Sequence, residues 1–401
     1  MEEKQTLIEK IVRQPLDFSD EEFLTLVKLG TEDGHEQKEA ELNFDDLRKM
    51  IIRIFDINET TLKQQSDATT GVLGFLNRKS TGKRRKRYYK LIDQGFRSFD
   101  NTNKKLIVAE GDSWFQFPFF VRDIIDWLSD EPNYAVYSIA YGGDWFTNIL
   151  YDEKYIEELS IHRPDVFLIS GGGNDFVGAN RLAAMVMKGD CKRPNSTPFY
   201  NEFFGREKKA IQEQIQHGYQ FILPSFYSFL WTIKAQYWKL FYRLQKSGKY
   251  PDMKIITQGY DYVIPSFKIN TKKWYALQPL VNKMAGTGGW LKRPLMIQGI
   301  QKDYDSRCIM KALIFEINLL FSHLATNFGF DNVYHIDCRG TAQTDEDWWD
   351  EIHLHSEGFA KIARAYKHCI NNRLTEKVIR VTDWETKDYK QPEAGLAPLP
   401  A

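Results

Sequence analysis

The spacing of apolar residues changes at about Lys104, and the change divides the chain into two parts. Before it, apolar side chains recur every three or four residues, as on one face of an amphipathic helix. The stripes are Leu7, Ile8, Ile11 and Val12; then Phe23, Leu24 and Val27; then Leu47, Ile51, Ile54 and Phe55. This pattern predicts three helices, the second opened by a capping box of Ser19 and Glu22 and the third within residues 42–57.

A basic run at residues 83–87 follows these stripes. Such a run can contact nucleic acid or an anionic headgroup, or it can be a solvated linker or helix face. Lys plus Arg and Asp plus Glu both number 54, so the chain has no net charge to hold a polyanion. The sequence therefore favours the solvated alternative and no nucleic-acid partner. Residues 1–100 are predicted to form a helical N-terminal module that ends in this charged connection.

Beyond Lys104, short runs of apolar, β-branched residues alternate with helical stretches. Such runs are typical of strands buried on both faces, in parallel sheets covered by helices. The sequence predicts an α/β fold, a three-layer α/β/α arrangement around a mainly parallel sheet of five strands. The predicted strands are 106–109, 134–139, 166–169, 255–257 and 333–336, and the predicted helices include 120–128, 309–328 and one that follows Ser356.

Composition narrows the class of protein without identifying an activity. The chain of 401 residues is 42% apolar and 27% charged, which excludes disorder as its main state. Its cysteines, Cys191, Cys308, Cys338 and Cys369, have no CxxC spacing, which predicts neither a disulfide scaffold nor a zinc ribbon. The acidic start and the absence of a run of about 18 apolar residues predict no secretory signal, no transmembrane segment and a cytoplasmic protein.

Polar and glycine residues follow the predicted strands, where ligands bind in parallel sheets. Ser113 follows the first strand in a Gly-Asp-Ser turn before a predicted helix, so its hydroxyl can point into a cleft and its N–H can meet an anion. Gly142 and Gly143 follow the second strand. Three glycines and Asn174, whose amide can donate a hydrogen bond, follow the third. Each block alone is also compatible with a plain turn.

A fourth block lies near the C-terminus, where Asp350 and His353 are three residues apart. This spacing lets the carboxylate accept the Nδ1 proton and leaves Nε2 as a base. His355 alternates with His353, which opens a metal-binding alternative, but further ligands at convincing spacing are missing. The third-strand glycines also lack the spacing of a phosphate or dinucleotide loop. We expect no metal and no cofactor.

In this order, the four blocks resemble those of the SGNH subgroup of GDSL-type esterases and lipases, over about residues 104–372. The first block reads Gly-Asp-Ser-Trp where the family has Gly-Asp-Ser-Leu. The resemblance implies that Ser113 is the nucleophile, His353 the general base and Asp350 the residue that orients the imidazole.

The resemblance also implies an oxyanion hole. Its donors are the Ser113 N–H, the Gly143 N–H and the Asn174 amide. Gly142 remains an alternative to Gly143, which we prefer because an Asp follows it.

The resemblance implies a serine hydrolase acting on carboxylic esters, which include small-molecule, lipid and phospholipid esters. Two alternatives stay open: a carbohydrate O-acetyl esterase or acyltransferase, and an effector or signalling protein with a hydrolase output domain. The hydrolase-like domain is predicted at 101–378 and a tail at 379–401. Residues 1–100 are expected to bind a protein partner or to mediate self-association.

Two insertions, at about 177–250 and 266–300, are rich in aromatic residues. Trp231, Trp274, Tyr275 and Trp290 are among them. These side chains can cover an acyl or lipid chain as a lid, or they can pack added helices onto the sheet. Both uses stay open at this point, and the residues that bind substrate are not predicted.

Overall fold

The computed structural model describes residues 2–28, 41–57, 71–96, 103–117, 121–191, 193, 196–246, 249–266 and 289–383. Trp274, Tyr275 and the part of the predicted tail beyond residue 383 lie outside these residues. A parallel sheet forms the centre of the fold. Its strands are β1 Lys105–Gly111, β2 Tyr134–Ser138, β3 Val166–Ser170, β4 Lys254–Gln258, β5 Val333–Asp337 and β6 Val378–Arg380.

Every strand pair of this sheet is parallel, in the order β2-β1-β3-β4-β5-β6. All residues of β2, β3 and β5 are buried, so both faces of the sheet are covered. The α/β class and the parallel sheet are therefore confirmed. β2 pairs with one edge of β1, and β3 pairs with the other edge. Because the strand order reverses here, a crevice forms at the carboxyl ends of β1 and β3.

The strand count predicted from the sequence is wrong by one. Residues Val378–Arg380, predicted to join the domain to its tail, pair with β5 as a sixth strand. Three residues are too few for an apolar pattern to reveal a strand, because strands are recognised over runs of four to eight. Their pairing depends on β5, which lies 40 residues earlier in the chain.

Among the described residues, four helices precede the sheet and the others connect its strands. The first four are α1 Glu2–Arg13, α2 Asp20–Lys28, α3 Phe44–Phe55 and α4 Gly71–Asp93. The next are α5 Ile124–Ser129, α6 Phe146–Asp152, α7 Lys154–His162, α8 Gly173–Val177, α9 Arg181–Met185, α10 Pro198–Gly205, α11 Lys209–Tyr219 and α12 Pro224–Phe241. The last three are α13 Lys292–Ile297, α14 Asp303–Asn327 and α15 Ser356–Asn371.

The predicted capping box opens α2. The Ser19 N–H donates to Glu22 Oε2 at 2.9 Å, and the Glu22 N–H donates to Ser19 Oγ at 3.1 Å. The buried stripe residues that belong to the same continuous core as the sheet are Leu7, Ile8, Ile11, Phe23, Val27 and Leu47. Ile51 of α3 is buried in a second, smaller cluster with Trp145. The N-terminal helices therefore pack on the rest of the protein as well as on one another.

The basic run at 83–87 is not a connection, because it lies inside α4. Arg84 is buried within this helix. Among the side chains of α4 whose burial the structure describes, the buried ones carry polar groups and recur at helical spacing: Asn77, Thr81, Arg84 and Tyr88. A search for apolar periodicity cannot detect such a stripe, so this part of the helix was predicted as linker.

The long apolar helix near the C-terminal third is α14. It begins six residues before the predicted start and ends at Asn327, two residues before Gly329, whose φ is +67°. Among the described helices, α14 is the one long and apolar enough to cross a bilayer, but 83% of its apolar window is buried inside the protein. It is therefore a core helix, of a kind that soluble proteins also contain.

Candidate active site

Loops from three strand ends meet at the crevice between β1 and β3. The Asp112 N–H, just after β1, donates to Ser170 O at 3.2 Å. The Tyr141 N–H, after β2, donates to Gly111 O at 2.8 Å. Because these bonds join the loops, the blocks predicted from the sequence lie together at one edge of the sheet.

Ser113 lies in a single hydrogen-bonded turn after β1, where the Gly-Asp-Ser block predicts a turn before a helix. The N–H groups of Phe115 and Gln116 both donate to Asp112 O, at 3.1 and 3.0 Å, and the next described helix begins only at Ile124. Gly111 is required before the turn, since a Cβ there would lie 2.6 Å from Ser170 O. The Ser113 N–H has no acceptor among the described residues.

Ser113, His353 and Asp350 form a continuous chain of hydrogen bonds. His353 Nε2 lies 2.7 Å from Ser113 Oγ, and His353 Nδ1 lies 2.8 Å from Asp350 Oδ2. The three residues are 9%, 3% and 7% exposed. The carboxylate is thus placed to hold the Nδ1 proton, with Nε2 directed at the hydroxyl.

The loop that carries the imidazole is held by its own backbone. Asp350 Oδ1 accepts the N–H groups of Ile352 and His353, each at 2.8 Å. The Phe117 ring packs on the imidazole with centroids 4.2 Å apart. His355 lies apart from this cluster, with its N–H on Asp347 O at 2.8 Å. Of the two histidines, His353 is the one bonded to Ser113.

Besides the Ser113 N–H, the candidate oxyanion donors lie after β2, at Gly143, and after β3, at Asn174 in the first turn of α8. The Asn174 amide donates from Nδ2 to Asp144 O at 2.8 Å, which fixes the side chain and leaves its second N–H for a ligand. The Gly142 N–H donates to Asn77 Oδ1 at 3.2 Å, so it is already engaged. The Gly143 N–H has no acceptor among the described residues, and its φ of +89° favours glycine. Of the two glycines, Gly143 therefore has the available donor.

Asn77 was not predicted as a site residue. It lies on α4 and makes two hydrogen bonds to Gly142, the second from Nδ2 to Gly142 O at 3.0 Å. Gln116 Nε2 also donates to Asn77 O, at 3.4 Å. One side chain of the N-terminal region therefore fixes the peptide next to Gly143.

Arg84, about two turns further along α4, supports the nucleophile loop. Its guanidinium donates to both oxygens of Asp123, at 2.7 and 2.6 Å, and to Phe115 O at 2.8 Å. Asp123 in turn accepts the Phe117 N–H at 2.9 Å. The buried ion pair therefore holds the segment that carries both Ser113 and the ring packed on His353.

Tyr260, two residues beyond β4, links the nucleophile loop to the third block. Its hydroxyl donates to Asp112 Oδ2 at 2.5 Å and accepts the Gly173 N–H at 2.9 Å. Ser170 Oγ donates to Asp112 Oδ1 at 3.2 Å. Ser113 and Asn174 were predicted because they follow strands of a parallel sheet. Tyr260 also follows a strand, so the sequence contained a signal for this residue too.

Three acidic side chains lie next to these loops: Glu110 and Asp112 are buried and Asp144 is half-buried. Burial raises the pKa of Asp144 to about 6, and it raises the pKa of Asp112. Burial, reinforced by the nearby Asp144 charge, raises the pKa of Glu110 well above its ordinary range. These three carboxyl groups therefore bind a proton at higher pH than exposed carboxyl groups do.

The described aromatic residues of the first insertion pack in the core. Tyr237 on α12 stacks on Phe146 with ring centroids 3.9 Å apart, and its hydroxyl donates to Gly171 O at 3.0 Å. Phe226 and Phe229 on the same helix are buried. In the second insertion, the Trp290 ring lies 6.3 Å from the His353 ring. Of the two uses considered for these aromatic residues, a lid or core packing, those of α12 therefore serve core packing.

No family model, curated protein or solved structure matches this chain. Its function must therefore be inferred from its own residues. Within the described part of the chain, no group of three or more His, Cys, Asp and Glu side chains could hold a metal ion.

Proposed function

We propose that this chain is a serine hydrolase that cleaves carboxylic esters through an acyl-enzyme. The observation that supports the proposal is the buried relay of Ser113, His353 and Asp350, with contacts of 2.7 and 2.8 Å. Ser113 is the nucleophile, His353 the general base and Asp350 the orienting carboxylate. We further propose that the helices and the sheet form the three-layer α/β/α arrangement of SGNH hydrolases.

In the proposed reaction, His353 Nε2 accepts the Ser113 Oγ proton as Oγ attacks the ester carbonyl. The carbonyl oxygen becomes an oxyanion that accepts hydrogen bonds from the Ser113 N–H, the Gly143 N–H and the second N–H of Asn174. Loss of one donor from a well-formed oxyanion hole costs about 2.7–4 kcal/mol of transition-state stabilisation. Collapse breaks the ester C–O bond, and the imidazolium protonates the leaving alcohol. Water then repeats the cycle and releases the acid.

The proposed chemistry needs no cofactor, and we propose a reducing, cytoplasmic setting. All four cysteines are free, and Cys308, Cys338 and Cys369 are buried. Free buried thiols are typical of such compartments.

The test is covalent labelling of the full chain with a fluorophosphonate probe, followed by turnover of a panel of esters. We expect labelling at Ser113, none in Ser113→Ala, and a loss of several orders of magnitude in kcat for His353→Ala. His355→Ala is the matched control, because it removes a neighbouring imidazole without contact to Ser113. Labelling that persists in Ser113→Ala, or a larger loss for His355→Ala, would refute the assignment.

A further inference from the structure

A small space, partly open to solvent, lies directly beside the candidate nucleophile. The cavity measures about 30 Å³ and is bordered by Ser113 and Asn174. Its other walls include Phe176, Leu291, Met310, Ile314 and Ile317. Because the cavity adjoins both the nucleophile and a candidate oxyanion donor, the acid part of a bound ester must extend into it or past it.

The volume limits what can enter. One water needs about 10–15 Å³ on this scale, and an apolar cavity that admits benzene measures about 150 Å³. The space next to Ser113 therefore accepts a methyl or ethyl group and is too small for a long alkyl chain.

The walls also limit the charge of the occupant. Met310, Ile314 and Ile317 lie on one face of α14 and are apolar. Among the described residues that border the cavity, none is Lys, Arg or His. A carboxylate or phosphate in this space would lack a cationic partner and would lie beside the carboxyl group of Asp112, which is strongly unfavourable.

Hydrogen bonds fix the wall made by α14. The Asn318 amide, on this helix, donates to Tyr260 O at 3.0 Å. Gly259 is packed so closely on the same side chain that a Cβ would lie 1.9 Å from Asn318 Oδ1. The helix is thereby joined to the loop whose Tyr260 hydroxyl holds Asp112.

The wall made by Leu291 is fixed to the loop that carries the imidazole. Glu351, next to Asp350, accepts the N–H groups of Leu291, Lys292 and Ser266 at 3.1, 2.9 and 2.7 Å. Walls that are held by hydrogen bonds and close contacts do not move apart freely for a larger acyl group.

We infer that the acid part of the substrate is a short, uncharged acyl group, acetyl or propionyl, and that the long acyl chains of lipids are excluded. This inference rests on the proposed function. It selects acetyl-type esters from the substrate classes that the chemistry of the site permits. Met310, Ile314 and Ile317 are the residues that set the limit.

The experiment compares p-nitrophenyl acetate, butyrate and octanoate on the full chain, with Ser113→Ala as the background. Since one methylene in an apolar pocket changes specificity by about 10- to 200-fold, we expect kcat/KM for acetate to exceed that for octanoate at least about a hundredfold. Ile314→Ala and Met310→Ala enlarge the cavity and should raise the butyrate-to-acetate ratio about tenfold. Leu324→Ala, a buried position on α14 that does not border the cavity, should leave this ratio unchanged.

The ratio of two rates is independent of the fraction of folded enzyme, so it can be read even in a destabilised variant. Ile314→Val offers a milder change with the same expected direction. If the wild-type enzyme is labelled at Ser113 but hydrolyses octanoate as fast as acetate, the proposed limit on acyl length is wrong. The proposal that the chain is an ester hydrolase is then unaffected. If Ser113 is neither labelled nor required for turnover of any ester, both the proposed function and the inference about the acyl group are wrong.

Discussion

Two parts of the N-terminal hundred residues, predicted as one module, make different contacts with the rest of the protein. α1 and the loop after it lie on α12 of the first insertion. Ser228 Oγ donates to Ile11 O at 2.7 Å, and Trp231 Nε1 donates to Pro15 O at 3.1 Å. α2 adds Phe23, whose ring centroid lies 5.6 Å from that of Trp231. None of these contacts reaches the candidate active site.

α4 instead contacts the loops that carry the candidate chemistry. Asn77 binds the Gly142 peptide, and Arg84 binds Asp123 and Phe115 O. Buried residues therefore have different roles in the two parts of the N-terminal region. The apolar stripes of α1 and α2 contribute to stability, whereas the polar stripe of α4 contributes to the geometry of the site. Changes in α4 should therefore affect catalysis, and changes in α1 or α2 should affect stability alone.

The largest effect is expected when both parts are removed. The domain boundary predicted near residue 100 implies that a fragment starting near Asn101 folds and keeps a reactive Ser113. The alternative is that the two parts form one cooperative unit. The boundary stays a prediction, but the packing favours the alternative, because the fragment leaves Asp123 buried without Arg84. We expect an insoluble or unlabelled fragment, measured by soluble yield and fluorophosphonate labelling. A soluble fragment labelled as fast as the full chain would show that α4 is dispensable.

Arg84→Met should have the next largest effect. Removing one partner of a buried ion pair costs about 3–5 kcal/mol of folding stability, because the other charge stays buried. The loop of Ser113 also loses its bond at Phe115 O, so kcat should fall at least tenfold. Urea unfolding and single-substrate kinetics measure the two effects.

Lys4→Met is the matched control for Arg84→Met. Lys4, on α1, is also buried and pairs with Asp46 at 3.1 Å. We expect a lower free energy of unfolding with an unchanged kcat per folded molecule. An equal loss of kcat in both variants would remove the distinction between α1 and α4.

Asn77→Ala should lower kcat by about ten- to a hundredfold with little change in KM. Removing an oxyanion donor lowers kcat by about a hundred- to a thousandfold. The loss should be smaller here, because this variant displaces the Gly143 peptide without removing its N–H. Thr81→Ala is the control on the same face of α4, because the Thr81 hydroxyl has no hydrogen-bond partner among the described residues. A rise in KM alone would place Asn77 in substrate binding.

The candidate site was predictable where its residues follow strands. Ser113, Asn174, Asp350 and His353 carry distinctive side chains at strand ends or before a helix, and a parallel topology brings such ends to one edge. The turn at Ser113 was also predictable, but the hydrogen bond from the Asp112 N–H to Ser170 O was not, because it joins two strand ends far apart in the chain.

The supporting residues were missed for a physical reason. Asn77 and Arg84 are buried polar groups whose partners lie about 30 to 65 residues away in the chain. Hydropathy patterns treat such residues as solvent-exposed, so α4 was predicted as a connection. Only the tertiary contact reveals that the charge of Arg84 is neutralised by Asp123. The same argument applies to β6, a strand of three residues defined by its pairing partner.

The smallest effect on activity is expected at the interface of α2 with α12. Lys234 on α12 is buried among the rings of Phe23, Trp231 and Phe328, and its ammonium pairs with Asp20. His323 Nδ1 lies 3.5 Å from the same ammonium.

Burial lowers the pKa of Lys234 from its ordinary value of 10.5 to about 8, although Asp20 favours the charged form. This difference corresponds to a penalty of about 3 kcal/mol for holding the charged ammonium in the folded state at pH 7. Between pH 8 and 10.5 the unfolded chain keeps this proton and the folded chain loses it, so stability rises with pH across that window. Above pH 10.5 the lysine is neutral in both states and the penalty is gone.

Lys234→Met should therefore unfold at equal or higher urea concentration than wild type at pH 7, with kcat unchanged. An apolar side chain fits the three rings, and Asp20 remains partly exposed to water. The advantage should shrink as pH rises from 8 to 10.5, which urea titrations of both proteins at pH 7, 8, 9 and 10 would measure. Lys239→Met on the same helix, where the side chain is more exposed, should give no gain at pH 7. If Lys234→Met is destabilised equally at every pH, the ion pair with Asp20 outweighs the cost of burial. In that case α2 is held to α12 by charge as well as by its apolar stripe.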